Sequence, residues 1–356
     1  MKAHVVARTY LNGFARTKQK PRGIVVFDKM LRVPIEAQVI LQPVVDAKHA
    51  ALVSDFYILE RLTGPDDFIE QGFNRVENEW PRLKKALKNS GGRLAPAEFD
   101  LLALFVAISE AREPRNRLML AQPISKVLQM VEQQERARGS TEDVIAETKR
   151  RLIKEDFFAG DLVHDPRNLA LAAVPQLIKQ NYEWFRRMNK MILTSSGPDF
   201  FTSDHPVLWF DPAKREENPC PNKLSLTAEV TFPLNRRQCL VMTYFPTSAV
   251  GEADEECVHV INARTALYAL QQIYAFPALG RGDQERQLQH LTEVGFDVTG
   301  KMLTERYADE DGPVFDMRGL IAALGAEWEW FEQANLHIPK SLSELDGGGP
   351  DRQGAR

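Results

Sequence analysis

Phe99-Asp-Leu-Leu-Ala-Leu-Phe-Val-Ala-Ile108 is the stretch whose reading decides how this chain folds. Its side chains are apolar on nearly every side at helical spacing, and a helix that is apolar all round belongs in a core. The run Leu101–Ile108 is its longest unbroken apolar segment. That is far short of the roughly 20 residues that span a bilayer, so the helix is a soluble protein's central one and no membrane contact is expected. Gly91-Gly92 breaks the chain ahead of it, Pro96 and Glu98 open it, and Pro114 ends or kinks it.

Outward from this helix the pattern stays helical on both sides. Asp66 to Leu87 places Phe68, Ile69, Phe73, Val76 and Trp80 on one broad face, interrupted at Pro81. A second helix follows Pro114 to about Arg138, where Gly139-Ser140 stops it, and Ser140 or Thr141 caps the next, with Glu142 and Asp143 in its first turn. Asp165-Pro166 starts a helix directed towards Asn189, with Pro175 as a kink. The texture then changes to short β-rich runs at Lys190–Thr194, Phe200-Phe201, Val207–Phe210, Leu224–Phe232 and Cys239–Phe245, with a hairpin connection over 234–238. Asn262 reads as the cap of a helix to Tyr274, and a further helix covers Arg318–Ala334. Near the start, Val6, Tyr10, Leu11 and Phe14 fall at helical spacing, followed by a β-like run from Arg22 to Met30.

The fold class is therefore α+β and predominantly helical, a large helical middle packed on a small mixed or antiparallel sheet. It reads as one domain over 1–341, with a helical subregion at about 56–190, a β-rich block at about 190–246 and C-terminal helices at about 261–335. The Gly-rich, charged stretch 342–356 reads as a disordered tail.

Composition narrows the function. With 44% hydrophobic and 26% charged residues the chain is neither disordered nor a collagen-like or coiled-coil rod. The 45 basic and 49 acidic residues nearly cancel, against the basic excess of a non-specific DNA-coating protein. Three cysteines build no disulfide framework and fit a reducing compartment, so the expected location is the cytoplasm. The first 27 residues hold six Lys or Arg and no acid, as in a transit peptide, but Leu11, Phe14 and Ile24–Phe27 read as structured core. The chain lacks G-x-x-x-x-G-K-[ST], G-x-G-x-x-G, G-x-S-x-G and H-E-x-x-H, which disfavours P-loop, Rossmann, α/β-hydrolase and zincin chemistry.

Several segments occur in a telling order: H-V-V-A-R-T-Y-L-N-G-F-A at 4–15, G-I-V-V-F-D-K at 23–29, Phe56-Tyr57, Ile69-Glu70, Val76-Glu77, R-E-P-R-N-R at 112–117, F-F-T-S-D-H-P-V at 200–207 and T-F-P-L at 231–234. Together they resemble the bacterial family known as domain of unknown function 4238, over roughly residues 4–275. In two places the chain departs from the family pattern: His205 stands where an Asn is usual, and Ser109 where a Gln is common. The resemblance implies which positions to suspect, and no reaction.

Those positions carry plausible chemistry. His4 and Arg8, four apart, share a face if the segment is helical, placing a titratable imidazole beside a fixed guanidinium. Glu70 and Glu77, two helical turns apart, project from one face beside Phe73, where carboxylates need a cation. That cation is either Mg²⁺ or Mn²⁺ in a metal site, or Arg112, Arg115 or Arg117 in a structural network. The guanidinium forks of Arg112 and Arg115 suit a phosphate or carboxylate of a substrate. Asp204 sits between two β-like runs, either as a catalytic carboxylate or as an Asx-type turn residue. Cys257-x-His259 with Cys220 and Cys239 lacks the spacing of a zinc knuckle and reads as core.

The leading expectation is a hydrolase of a phosphate-containing substrate, a nuclease or phosphohydrolase acting on nucleic acid or nucleotide. In it His4, Glu77 and Asp204 are catalytic, Arg8, Arg112 and Arg115 bind substrate, and Glu70 and Glu77 hold metal. The alternative is a non-enzymatic ligand- or partner-binding protein, such as a sensor in a bacterial defence or stress module. An enzyme would gather these side chains in an open pocket with spare hydrogen-bonding capacity, whereas a structural network would be closed and paired.

Overall fold

The computed structural model describes residues 2–16, 23–29, 44–47, 50–54, 57–61, 64–156, 166–211, 223, 225 and 227–277. The chain opens with β1 (Lys2–His4), the one-turn helix α1 (Arg8–Leu11), β2 (Ile24–Asp28), β3 (Val44–Val45), β4 (Leu52–Ser54), and the hairpin of β5 (Leu59–Arg61) with β6 (Gly64–Asp66). The helical middle follows: α2 (Phe68–Glu77), α3 (Trp80–Asn89), α4 (Pro96–Ala111), α5 (Pro114–Ala137), α6 (Glu142–Asp156), α7 (Pro166–Ala172) and α8 (Val174–Arg187). The β-rich block contains β7 (Asn189–Ser195), β8 (Thr202–Ser203), β9 (Leu208–Phe210), β10 (Glu229–Asn235), β11 (Gln238–Thr243) and β12 (Val250–Ala253), and α9 (Glu255–Tyr268) and β13 (Gln272–Ala275) complete it. This is the expected α+β fold with more helix than strand. All described residues fall in one compact unit, Met1–Phe315; the helix read at Arg318–Ala334 and the tail 342–356 lie outside them.

The strands form two larger sheets rather than one small one. The first runs β12-β7-β11-β10-β9, antiparallel except for the parallel pair β12 and β7; the second, β3-β2-β13-β8, is antiparallel throughout. The central strands β10 and β11 are buried on both faces, and β11 accordingly reads as a continuous apolar run, Cys239-Leu-Val-Met242, rather than an alternating one. On one face Met191, Leu193, Cys239 and Val241 pack against Cys257, Val258 and Ile261 of α9. At β10, Phe232 joins a column of rings: it lies 5.0 Å from Tyr10, while Phe105 of α4 stacks on Trp80 of α3 at 4.2 Å. The Tyr10 hydroxyl donates to Pro233 O at 2.6 Å and lies 2.7 Å from Thr202 Oγ1, so α1 is tied to both sheets.

Prolines set the helix boundaries more sharply than expected. Pro81 and Pro175 do not kink running helices. Each occupies the second position of a new one, α3 and α8, where its missing N–H costs no intrahelical bond. Two N-terminal readings change as well. His4 belongs to β1, paired with Leu52, and Arg8 begins α1. Asn262 is not a cap: Asp254 caps α9 by accepting the Cys257 N–H at 2.7 Å. Asn262 lies fully buried mid-helix, accepting Phe201 N–H at 2.8 Å and donating to Asp199 O at 2.9 Å.

Candidate functional site

Arg112 follows the last residue of α4, and the core carried by that helix continues around its side chain. Burying a guanidinium there is costly without anions, and α2 supplies two. Glu77 Oε1 lies 2.5 Å from Nη1 and Glu70 Oε2 lies 3.8 Å from Nη2, while the arginine side chain is 2% exposed. The seven-residue spacing of Glu70 and Glu77 does place both carboxylates on one helical face. Aromatic rings cover the guanidinium: its carbon is 4.3 Å from the Phe73 ring centroid and 5.6 Å from that of Tyr57, whose hydroxyl donates to Arg112 O at 2.7 Å. Burial holds both carboxyl groups above the usual carboxylate range although Arg112 pulls them down. Desolvation therefore outweighs the ion pair at each acid.

The same helix end carries two further acids that the sequence reading passed over. Glu110 Oε1 accepts the Lys223 ammonium at 2.6 Å and Trp209 Nε1–H at 3.1 Å, and Lys223 also donates to Asn181 Oδ1 at 2.9 Å. Glu113 Oε2 lies 3.3 Å from His205 Nε2. The signal that singled out Arg112, a charge at the end of the most apolar helix, applies equally to Glu110 and Glu113. Their partners are 90 or more residues away and leave no trace in local spacing. A further sealed pair, Arg264 with Glu229 at 2.5 Å, ties α9 to β10; its side chains are 1% and 0% exposed, and Arg264 lies over the Phe210 ring at 3.6 Å.

Asp204 is next to His205 in sequence, yet its carboxylate is spent on backbone. Oδ1 accepts Leu270 N–H at 2.9 Å, and Oδ2 accepts Gln271 and Gln272 N–H at 2.7 and 2.9 Å. Burial raises its pKa and these three donors oppose the rise. The side chain fastens the turn after β8 to the start of β13, a long-range tie and not a local Asx-type turn; the local turn bond is made by Ser203, whose Oγ accepts His205 N–H at 3.1 Å.

Of the residues expected to meet, the structure thus brings Glu70, Glu77 and Arg112 together and approaches Asp204 through Glu113 and His205. Glu70 and Glu77 are placed as counter-ions of Arg112, the structural alternative for these carboxylates; among the described residues no group of three or more His, Cys, Asp or Glu is placed as metal ligands. Arg112, read as a substrate-binding residue, has its guanidinium enclosed with these two carboxylates. The shared helical face of His4 and Arg8 is overturned by the strand at His4; Arg8 is exposed. The side chains of His4, Arg115 and Arg117 lie outside the described ones. Cys239 and Cys257 are buried free thiols, as their apolar settings suggest.

An open cleft of about 920 Å³ lies elsewhere, between α3 and the β7–β12 edge of the first sheet. Lys84, Leu87 and Lys88 of α3 line one side; Val250, Glu252 and the hairpin residue Arg237 are among those opposite. Its width follows from the Gly91-Gly92 turn. Both glycines have positive φ, +62° and +94°, and a β-carbon on Gly92 would fall 3.0 Å from Ile192, so α3 sits closer to β7 than a side chain there would permit. Arg237 is engaged, its Nε 3.2 Å from Asp199 Oδ1 and its Nη1 donating to Gly197 O; Glu252 Oε1 accepts Ser196 Oγ–H at 3.0 Å. Lys84 is different. It is half-buried, burial alone lowers its pKa, and it makes no ion pair or hydrogen bond among the described residues.

The profile of the family described as protein of unknown function DUF4238 matches residues 2–278. The chain belongs to the DUF4238 family. That match takes in every element from β1 to β13, so the Arg112 centre and the cleft are both inside the DUF4238 region. Among curated proteins and among solved structures, nothing matches the chain. Among the described residues no helix is long and apolar enough to cross a membrane.

Proposed function

We propose that this DUF4238 protein is a ligand-binding protein whose binding surface is the cleft between α3 and the sheet. The observation that carries this reading is the state of the suspected catalytic groups. Arg112 is closed between two carboxylates and two rings, and Asp204 has given its oxygens to three backbone amides. Arg112 is 2% exposed and Asp204 8%, so neither presents its charged group where a substrate could meet it, as a catalytic group must. The cleft, by contrast, falls within the usual volume range of small-molecule sites and joins apolar walls to a few polar groups. The test is incubation of the purified chain with RNA, DNA and nucleotides, with and without Mg²⁺ or Mn²⁺. The expected result is no turnover. Turnover that Asp204→Asn abolishes in a folded protein would overturn the reading.

A second reading, hydrolysis of a phosphate-containing substrate, draws on one specific contact: the His205–Glu113 pair, in which a carboxylate orients an imidazole that is 13% exposed. His205→Asn, which restores the residue usual at this position in relatives, tests it. Loss of any activity in that variant supports the pair as an acid/base unit, and full retention removes it.

A further inference from the structure

We infer that the cleft takes a nucleotide, with its phosphate groups held by Lys84 and Lys88; this rests on the reading of the protein as a ligand-binding one. The two lysines are four apart on α3, which puts their β-carbons about 5–6 Å from each other on one face. Like charges at that spacing disfavour a helix, more so beside apolar surface, and Leu87 next to them is 1% exposed. The helix dipole accounts for Lys88, which sits in the last turn where cations are favoured. It does not account for Lys84, in the middle of the ten-residue helix and half-buried with no anion beside it. Lys84 is thus a cation whose counter-charge is not supplied by the described protein, and it lines an open cavity.

The chemistry of the remaining lining selects the ligand class. Arg237 and Glu252 already have protein partners, so the two ammoniums are the unspent charge of the cleft and call for an anion with more than one oxygen. A phosphate group spans two lysines and its oxygens accept from both. Val250 offers apolar surface for a planar base; of the amides that line the cleft, Asn235 donates to Gln238 Oε1 at 3.0 Å and accepts Arg237 N–H at 2.8 Å, which leaves the Gln238 NH₂ to donate to a base or sugar. The volume of about 920 Å³ accommodates a mononucleotide but not a folded nucleic acid.

The experiment is calorimetric titration of the full chain with ATP, inorganic pyrophosphate and adenosine, repeated on the double variant Lys84→Gln, Lys88→Gln. ATP and pyrophosphate are expected to bind, adenosine to bind at least ~10-fold more weakly than ATP, and the double variant to lose ~10-fold or more in affinity for both phosphate compounds. Neither lysine has an ion-pair or hydrogen-bond partner to lose among the described residues, so the variant should melt no lower than the parent. Equal binding of ATP and adenosine, ATP binding that the double variant leaves unchanged, or no binding of ATP and pyrophosphate at millimolar concentration each overturns the assignment while leaving the protein open to another ligand. ATP that binds and is hydrolysed instead overturns the non-catalytic reading and leaves the site assignment standing.

Discussion

The Arg112 centre and the α3 cleft use similar side chains in opposite ways. Around Arg112, a cation is surrounded by carboxylates and rings until nothing of it reaches solvent. In the cleft, Lys84 is also drawn away from water, but no anion meets it. Lys190 stands between the two. It is half-buried on β7 and donates to the carbonyls of Arg186 and Met188 at 2.8 Å each, with the charge of Asp100 attracting it without a direct ion pair. The three cations form a series of decreasing compensation. What distinguishes a structural charge from a functional one in this fold is spare capacity, which residue type and spacing do not report.

The largest effect is expected from breaking the compensated end of the series. Arg112→Met leaves Glu70 and Glu77 buried without their cation and should cost about 3–5 kcal/mol, read by chemical denaturation. The sign of its pH dependence is specific. Both carboxyl groups already titrate above their ordinary value, so the stability they contribute is full below the unfolded pKa and is lost as pH rises through the folded one. Without Arg112 that folded value moves higher still. The destabilisation should therefore grow as pH rises above the ordinary carboxyl range and shrink as pH falls back into it; a deficit independent of pH would mean that packing, not charge, dominates the centre.

Lys190 supplies a second test of intermediate size. Burial lowers its pKa from 10.5 to about 8. Below pH 8 both states carry the proton and the fold bears the full cost of the buried charge. Between pH 8 and 10.5 the unfolded chain holds more protons, so stability rises with pH by up to about 3 kcal/mol in total. Comparing the parent with Lys190→Met isolates this group: the difference in stability between them should change across that window and be flat below it. A difference flat across the whole range would show that the ammonium is not desolvated.

Asp204→Asn comes next. An amide oxygen replaces one carboxylate oxygen, and its NH₂ turns a donor towards donors, so a loss of about 1–3 kcal/mol is expected from one or two unsatisfied backbone N–H groups. The thermal midpoint should fall while cleft binding at a temperature well below it stays unchanged.

The residues of the Arg112 centre were half legible in advance. Glu70 and Glu77 could be placed on one helical face because the 3.6-residue period is local, and Arg112 could be drawn inward because it closes the most apolar helix. The identity of their mutual partner required tertiary contact, and so a metal and an arginine network both stayed open in the sequence; the contacts observed are to Arg112. The partners of Asp204 were illegible for a related reason. Its three donors are backbone amides of 270–272, which have no side-chain signature at all. In the fold, the central helix and its proline and glycine boundaries were legible, as were most of the β-rich runs. The split into two sheets was not, because β2 reaches β13 across more than 240 residues and pairing at that range leaves no periodicity. The cleft was missed entirely: Lys84 and Lys88 look like the solvated face of an amphipathic helix, and only the packing of the Gly91-Gly92 turn on Ile192 brings that face over the sheet.

The smallest effect, and the one that separates the two regions most cleanly, is expected at Lys84. A cation with a carboxylate partner is missed when it is removed; a desolvated cation with no partner is not. Lys84 has its pKa lowered by burial alone, so its charge costs the fold something at neutral pH and returns nothing in contacts among the described residues. Replacing it by Met keeps the length and the apolar stem that packs beside Leu87 and deletes only the charge. The change in stability should be neutral to favourable, on the order of 0.5 kcal/mol or less. Its sign is opposite to that of Arg112→Met, although both substitutions remove one cation and put the same side chain in its place. Thermal denaturation of the two variants in one buffer at pH 7.5 makes the comparison directly. If Lys84→Met melts well below the parent, the lysine has a structural anion after all, and the cleft loses the uncompensated charge on which its reading stands.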